Sequence, residues 1–225
     1  TLSLPADAEP RRTIMPADAV RERSSEPRSV MSPAVVGAGI MGAGIAARHL
    51  QTGLPLTLID NNAEVLAASV PEILEEAAWD SLTQRSDPAA ALALAGQLRT
   101  GTSLDALAGV DFVMESVSER TDLKQRVLAD IERAVAPVAI ITTNTSTNPI
   151  TKLAEALADP SRFCGMHFFN PVRRMNLVEV VRGAATSDAT VATVVAHAKR
   201  LGKIPVVVRD SPGFVVNRVL MPYLH

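Results

Sequence analysis

From Pro33 onwards, short β-branched and aliphatic runs alternate with stretches in which apolar residues recur every three to five positions. Strands buried on both faces read as continuous apolar runs, and the helices that cover them read as stripes, so the alternation predicts an α/β fold with a mostly parallel sheet. The runs place strands from Ala34 to Val36, Leu56 to Asp60, Leu98 to Gly101, Asp111 to Glu115 and Val138 to Thr143. Three more follow, from Phe163 to Phe168, Leu177 to Val181 and Ile204 to Val208. Leu123, Val127, Leu128, Ile131 and Val135 form one face of a helix that Pro137 stops, and Val191, Val194, Val195, Ala198 and Leu201 form another, with Gly202 as its C-cap. Residues 1–31 carry Pro5, Pro10, Pro16 and Pro27 among alanines and charges, the pattern of a linker or extension.

One junction between strand and helix is unusual. Val35 to Leu50 reads VVGAGIMGAGIAARHL, with three glycines where a chain turns from one element to the next. Gly37 permits a tight turn, Gly39 lets a pyrophosphate rest on bare backbone, and Gly42 lets helix and strand pack closely. Ile40 and Met41 open the helix between them, where free N–H groups and the helix dipole face a negative ligand. Asp60 ends the next strand, 23 residues after Gly37, where a carboxylate accepts hydrogen bonds from an adenosine ribose and repels a 2′-phosphate. Together these predict a Rossmann-type, doubly wound domain that binds NAD in preference to NADP.

A second group of polar residues lies further along. ITTNTSTNPI, residues 141–150, leaves a strand through groups that hydrogen-bond locally, and Ser146 taken alone reads as a turn or cap residue. His167 closes an apolar strand at the rim of the sheet, where open α/β sheets bind ligands. Glu179 lies amid Leu177, Val178, Val180 and Val181, and a carboxylate in such a setting needs a partner. A histidine oriented by a carboxylate is the arrangement of a general base working near neutral pH. His49, His197 and His225 have no acid placed by spacing and read as solvated or incidental. Cys164, three residues before His167, reads as a small core residue, and no metal-ligand spacing is present.

Composition narrows the classes. With 47% hydrophobic residues in a 225-residue chain, there is enough for a substantial core. A net charge of -2 leaves no footprint for nucleic acid or an anionic membrane. A lone cysteine points to a reducing, cytoplasmic setting. The first thirty residues lack the apolar core of a signal peptide, and the glycine-rich run 34–47 is too short for a membrane span.

VVGAGIMGAGIA, MESVSERTDLK, TTNTSTNPI, RFCGMHFFNPVRRMNLVEVVRG and KIPVVVRDSPGFVVNRVLMPYL, in unbroken order from about 33 to 225, resemble the L-3-hydroxyacyl-CoA dehydrogenases. The resemblance is strongest to the dehydrogenase part of the multifunctional alpha subunits of fatty-acid β-oxidation complexes. It implies a catalytic His167 with Ser146 standing 21 residues before it, Glu179 following by 12 and Asn217 by 50. It also implies that Val117, Ser118, Glu119 and Lys124 line the cofactor site, with Asn170 near the nicotinamide. The expected reaction is NAD-dependent oxidation of a 3-hydroxyacyl-CoA, in a homodimer or beside a partner subunit of a β-oxidation complex. By the same resemblance, 1–31 links to an upstream domain, 32–210 is the NAD-binding domain, and 211–225 begins a helical C-terminal domain. The family often places lysines on the helix after the acidic ribose ligand, near the coenzyme A phosphates, whereas 61–84 contains no Lys or Arg. Competing readings are a dehydrogenase of a non-CoA 3-hydroxy acid and a non-catalytic NAD-binding scaffold.

Overall fold

The structure, a computed structural model, describes residues 26–220. Most of the expected linker, His225 and the end of the expected C-terminal segment lie outside the described residues. β1 (Pro33–Val36) passes through the glycine turn into α1 (Ile40–Leu50), followed by β2 (Leu56–Ile59) and α2 (Ala63–Ala77). A short hairpin, β3 (Trp79–Asp80) and β4 (Arg85–Ser86), then leads to α3 (Pro88–Ala95) and β5 (Leu98–Gly101). β6 (Phe112–Glu115), α4 (Thr121–Ala134), β7 (Ile140–Thr143), α5 (Ile150–Ala154) and β8 (Phe163–Phe168) come next. The described chain ends with β9 (Leu177–Arg182), α6 (Asp188–Arg200), β10 (Ile204–Arg209) and α7 (Val216–Leu220).

Eight strands form one sheet in the order β10-β9-β8-β7-β6-β1-β2-β5. Every neighbouring pair is parallel except β8 and β9. The order reverses beside β1, so the crevice beyond its C-terminal end is a topological switch point. Val35, Ile45, Leu50, Leu58, Phe112, Val194 and their neighbours pack on one face of the sheet. Val113, Leu128, Ile131, Ile141, Leu153 and Phe163 pack on the other. The eight predicted strands are all present, with small shifts. β7 starts at Ile140 rather than Val138, because a bond from Ala139 N to Ala136 O closes a turn after Pro137 and leaves Val138 exposed. Gly202 has φ +68° and donates to Lys199 O, the expected end of α6.

The stretch 61–84, which lacks Lys and Arg, forms α2 only as far as Ala77, and Asp80 belongs to the hairpin. One expectation is corrected. His49 and His197 are not solvated, since both are buried and their Nε2 atoms lie 2.9 Å apart. Their helices pack together on the β6 side, with the His197 ring 4.5 Å from that of Phe112, which a reading by sequence spacing could not place. Residues 28–31 pack on the domain as well. Val30 is buried, its carbonyl accepts from Arg200 Nη1 at 2.8 Å, and Met31 N and Ser32 N donate to the Asp111 carboxylate. Among the described residues, no helix is long and apolar enough to cross a membrane.

Candidate active site

The glycine turn behaves as its sequence predicts. Gly37 has φ +103°, and a Cβ there would stand 2.6 Å from Ser116 O. A Cβ on Gly42 would fall 1.8 Å from Gly37 O, whereas one on Gly39 would meet nothing within 4 Å. The second glycine therefore leaves open space above the backbone at the start of α1, and no side chain caps that helix. A crevice of about 430 Å³ opens there, lined by Gly37, Gly39, Asp60, Ser116, Val117 and Ser118 among others. Asp60 Oδ2 accepts from Ala38 N at 2.8 Å and Oδ1 from Asn62 N at 2.9 Å, which fixes the carboxylate at the crevice edge. An open glycine cradle, an uncapped helix start and a fixed acid together fit the pyrophosphate and ribose of NAD. Ile40 is exposed, Met41 packs against the core, and neither lines the crevice.

His167 and Glu179 meet because β8 and β9 run antiparallel, which sets the two residues directly opposite in register. His167 Nδ1 lies 2.8 Å from Glu179 Oε2, with both side chains buried. The other carboxylate oxygen accepts from Val215 N and Val216 N, each at 2.9 Å. A carboxylate here accepts the Nδ1 proton, which leaves the lone pair on Nε2. That nitrogen has no hydrogen-bond partner among the described residues. Phe169 and Phe214 pack on the imidazole, with ring centroids at 4.5 and 5.8 Å. Phe214 holds φ +48°, an uncommon conformation for a residue other than glycine, at the turn that delivers the two N–H groups to Glu179.

Ser146 is held by a polar network rooted in β6 and α4. Glu119 accepts from Thr145 Oγ1 at 2.5 Å, Ser146 N at 2.8 Å and Thr147 N at 3.0 Å. Burial pushes the Glu119 carboxyl up, but these bonds and the Lys124 charge outweigh it and bring the group down to about 2. Lys124 does not line the crevice. It is buried, with Nζ 2.9 Å from Glu115 Oε1, 3.1 Å from Val117 O and 3.3 Å from Glu119 Oε2, so it ties the cofactor loop to the Ser146 turn. Asn217 Nδ2 reaches Ser146 O at 3.4 Å, and Asn170 is exposed on the loop after β8, apart from the crevice. Cys164 is buried and its thiol is pushed up to about 12 by burial, which suits a core residue and not a nucleophile.

Sequence reasoning missed Glu115, Phe214 and Asn144, whose Oδ1 accepts from Phe168 N at 2.8 Å and secures the strand end that carries His167. Glu115 could have been found as an acid ending an apolar strand, the same signal that marked Asp60. Phe214 carries no such signal, because its role depends on a turn conformation.

A doubly wound sheet with a glycine cradle at its switch point and a carboxylate-backed histidine at its rim defines a dinucleotide-dependent dehydrogenase domain. Residues 32–211 match the family described as 3-hydroxyacyl-CoA dehydrogenase, NAD binding domain, and the chain belongs to this family. It is 45% identical over 196 residues to the fatty acid oxidation complex subunit alpha of Pseudomonas paraeruginosa and of Pseudomonas aeruginosa. That match covers 87% of this chain and 27% of each relative, so the chain spans about a quarter of their length. Among solved structures it is similar to the (S)-3-hydroxybutyryl-CoA dehydrogenase of Ralstonia eutropha, with 40% identity, a TM-score of 0.80 and coverage of 87% of this chain and 69% of that one. The 3-hydroxybutyryl-CoA dehydrogenase of Escherichia coli gives 37% identity and a TM-score of 0.81, over 87% of this chain and 42% of the other.

Proposed function

We propose that this chain carries the dehydrogenase chemistry of a β-oxidation enzyme, the reversible oxidation of an L-3-hydroxyacyl-CoA to the 3-ketoacyl-CoA. The observation that carries the reading is the buried His167–Glu179 pair, which leaves a basic Nε2 within a domain built to hold a dinucleotide. NAD, when bound on Gly37, Gly39 and Asp60, supplies the acceptor for the hydride leaving C3. His167 Nε2 takes the proton of the C3 hydroxyl, and Glu179 holds the tautomer and stabilises the imidazolium that forms. Ser146 hydrogen-bonds the reacting oxygen, and Asn217, tied to the Ser146 carbonyl, positions the thioester. The segment from 211 opens a second, helical domain, with α7 as its first described helix, and the working enzyme is cytoplasmic and pairs with a second copy or a complex partner.

Replacing His167 with Gln tests the assignment. The expected outcome is a 10²- to 10⁴-fold loss, roughly, of NADH formation from 3-hydroxybutyryl-CoA. NADH affinity, followed by its own fluorescence, stays unchanged. Near-normal turnover in the variant removes His167 from this role.

A further inference from the structure

β6 is apolar until its last residue. Phe112, Val113 and Met114 are buried, and Glu115, which ends the strand, is 0% exposed. A carboxylate in such a place must have its lone pairs met. Oε1 accepts from Val117 N at 2.7 Å and from Lys124 Nζ at 2.9 Å. Oε2 accepts from Thr143 Oγ1 at 2.5 Å and from the same ammonium at 3.2 Å. Lys124 is buried as deeply, and its other bond goes to Val117 O at 3.1 Å, with Glu119 Oε2 3.3 Å away. Val117 is therefore held at both backbone groups, its N–H by the glutamate and its carbonyl by the lysine.

All of these bonds lead to the C-terminal rim of the sheet. Val117 lines the dinucleotide crevice, and Ser116 O before it stands where it would meet a Cβ on Gly37. Thr143 ends β7, and its hydroxyl also accepts from Thr145 N at 3.3 Å, at the head of the turn that carries Ser146. Next to it, Asn144 N donates to Glu115 O at 2.8 Å, while Asn144 Oδ1 accepts from Phe168 N, beside His167. Stability alone does not account for the pair, because apolar residues of similar volume in place of a buried ion pair are often as stabilising or more so. Nor is Glu115 needed merely to balance the Lys124 charge, since Glu119 stands close to the same ammonium. What the pair supplies is direction, for a buried polar network whose groups are all satisfied rigidifies what it joins.

We propose that Glu115 is a positioning residue, whose one carboxylate sets the cofactor loop and the Ser146 turn in a common frame. For the turn the inference rests on the reaction proposed above; for the cofactor loop it does not. Glu115 touches neither ligand and acts through Val117 on one side and Thr143 on the other.

The test uses the full chain and three measurements: NADH affinity from NADH fluorescence, amide hydrogen exchange resolved by residue, and NADH-dependent reduction of acetoacetyl-CoA. Glu115→Gln keeps the shape but loses the charge and one acceptor, and is expected to weaken NADH at least about tenfold. Exchange at 116–118 and 144–147 accelerates at least about tenfold, whereas the amides of α1 and α6 exchange as in wild type. Thr143→Val cuts one arm and leaves the Glu115–Lys124 pair intact. NADH affinity then stays within about twofold, exchange rises at 144–147 alone, and kcat falls at least about tenfold with KM for acetoacetyl-CoA little changed.

A glutamate that only holds the fold together gives a different pattern: Glu115→Gln raises exchange throughout the sheet, and Thr143→Val exchanges and turns over as wild type does. Either result overturns the proposal, as does wild-type NADH affinity in Glu115→Gln. If Glu115→Gln does not fold, Thr143→Val decides alone. Faster exchange confined to 144–147 with NADH binding intact upholds the proposal, and wild-type exchange there overturns it. A wild-type chain that binds NADH without reducing acetoacetyl-CoA refutes the reaction instead, and NADH affinity and exchange still judge Glu115.

Discussion

Glu179 serves two masters at once. One oxygen orients His167 and the other gathers two backbone N–H groups at the entry to α7, so three donors depend on a single charge. Glu179→Gln replaces one acceptor oxygen with an NH₂ group that must face a donor on one side or the other. The expected cost is about 1–3 kcal/mol of stability. Turnover falls along with it, and the pH–rate profile shifts because the imidazolium loses its counter-charge; an unchanged profile would mean that the glutamate is merely structural. Gly42 offers a complementary case. An alanine there must displace Gly37 O, which a Cβ would approach to 1.8 Å, so Gly42→Ala should cost about 1–3 kcal/mol in urea unfolding and weaken NADH. Both residues are legible in the sequence, since a charge among valines and a glycine at a strand-to-helix turn conflict with their local setting. Lys124 lies buried between Glu115 and Glu119, which arrive from either side, a placement that spacing alone does not show.

At the scale of elements, α1 and α6 are joined by a histidine pair that no acid accompanies. His49 Nδ1 donates to Ile45 O at 2.8 Å, so its Nε2 accepts from His197 Nε2, and His197 Nδ1 is buried with no partner among the described residues. Burial is the main cause that lowers His49 to about 4 and His197 to about 2, with the charges of Arg48 and Arg200 adding to it. Folded values below the unfolded 6.5 mean that the unfolded chain binds more protons in acid. The stability from this pair is therefore full above about pH 6.5 and is lost as pH falls toward 4, by up to about 1.4 kcal/mol per unit for each ring. Urea unfolding between pH 7.5 and 5 should show the wild type losing up to roughly 4 kcal/mol more than a His49→Leu/His197→Leu double variant, about 2 for each ring. Parallel slopes for the two proteins would refute the coupling. The strands were legible because apolar runs of four to six residues end at turn signals. The hairpin and α3 were not: PAAALALA carries apolar groups on every side and so has no stripe, and the two-residue strands leave no period.

The whole molecule places its chemistry off-centre, and that has a consequence for association. The cofactor cradle sits at the middle of the sheet, while His167 and Glu179 lie on the two strands next to β10, which has a neighbour on one side only. Ile204, Val206 and Val207 on β10, and Val215, Val219 and Leu220 around α7, are all exposed. An edge strand with free backbone groups and exposed apolar side chains is a template for pairing with another chain. The 225-residue chain should therefore associate as concentration rises toward about 0.1 mM, a range in which exposed apolar edges drive assembly. Sedimentation velocity across that range measures it. Val207→Lys with Val219→Lys should return the chain to a monomer, with far-UV circular dichroism and NADH affinity retained, because neither side chain touches the crevice. A wild-type chain that stays monomeric throughout would refute the association.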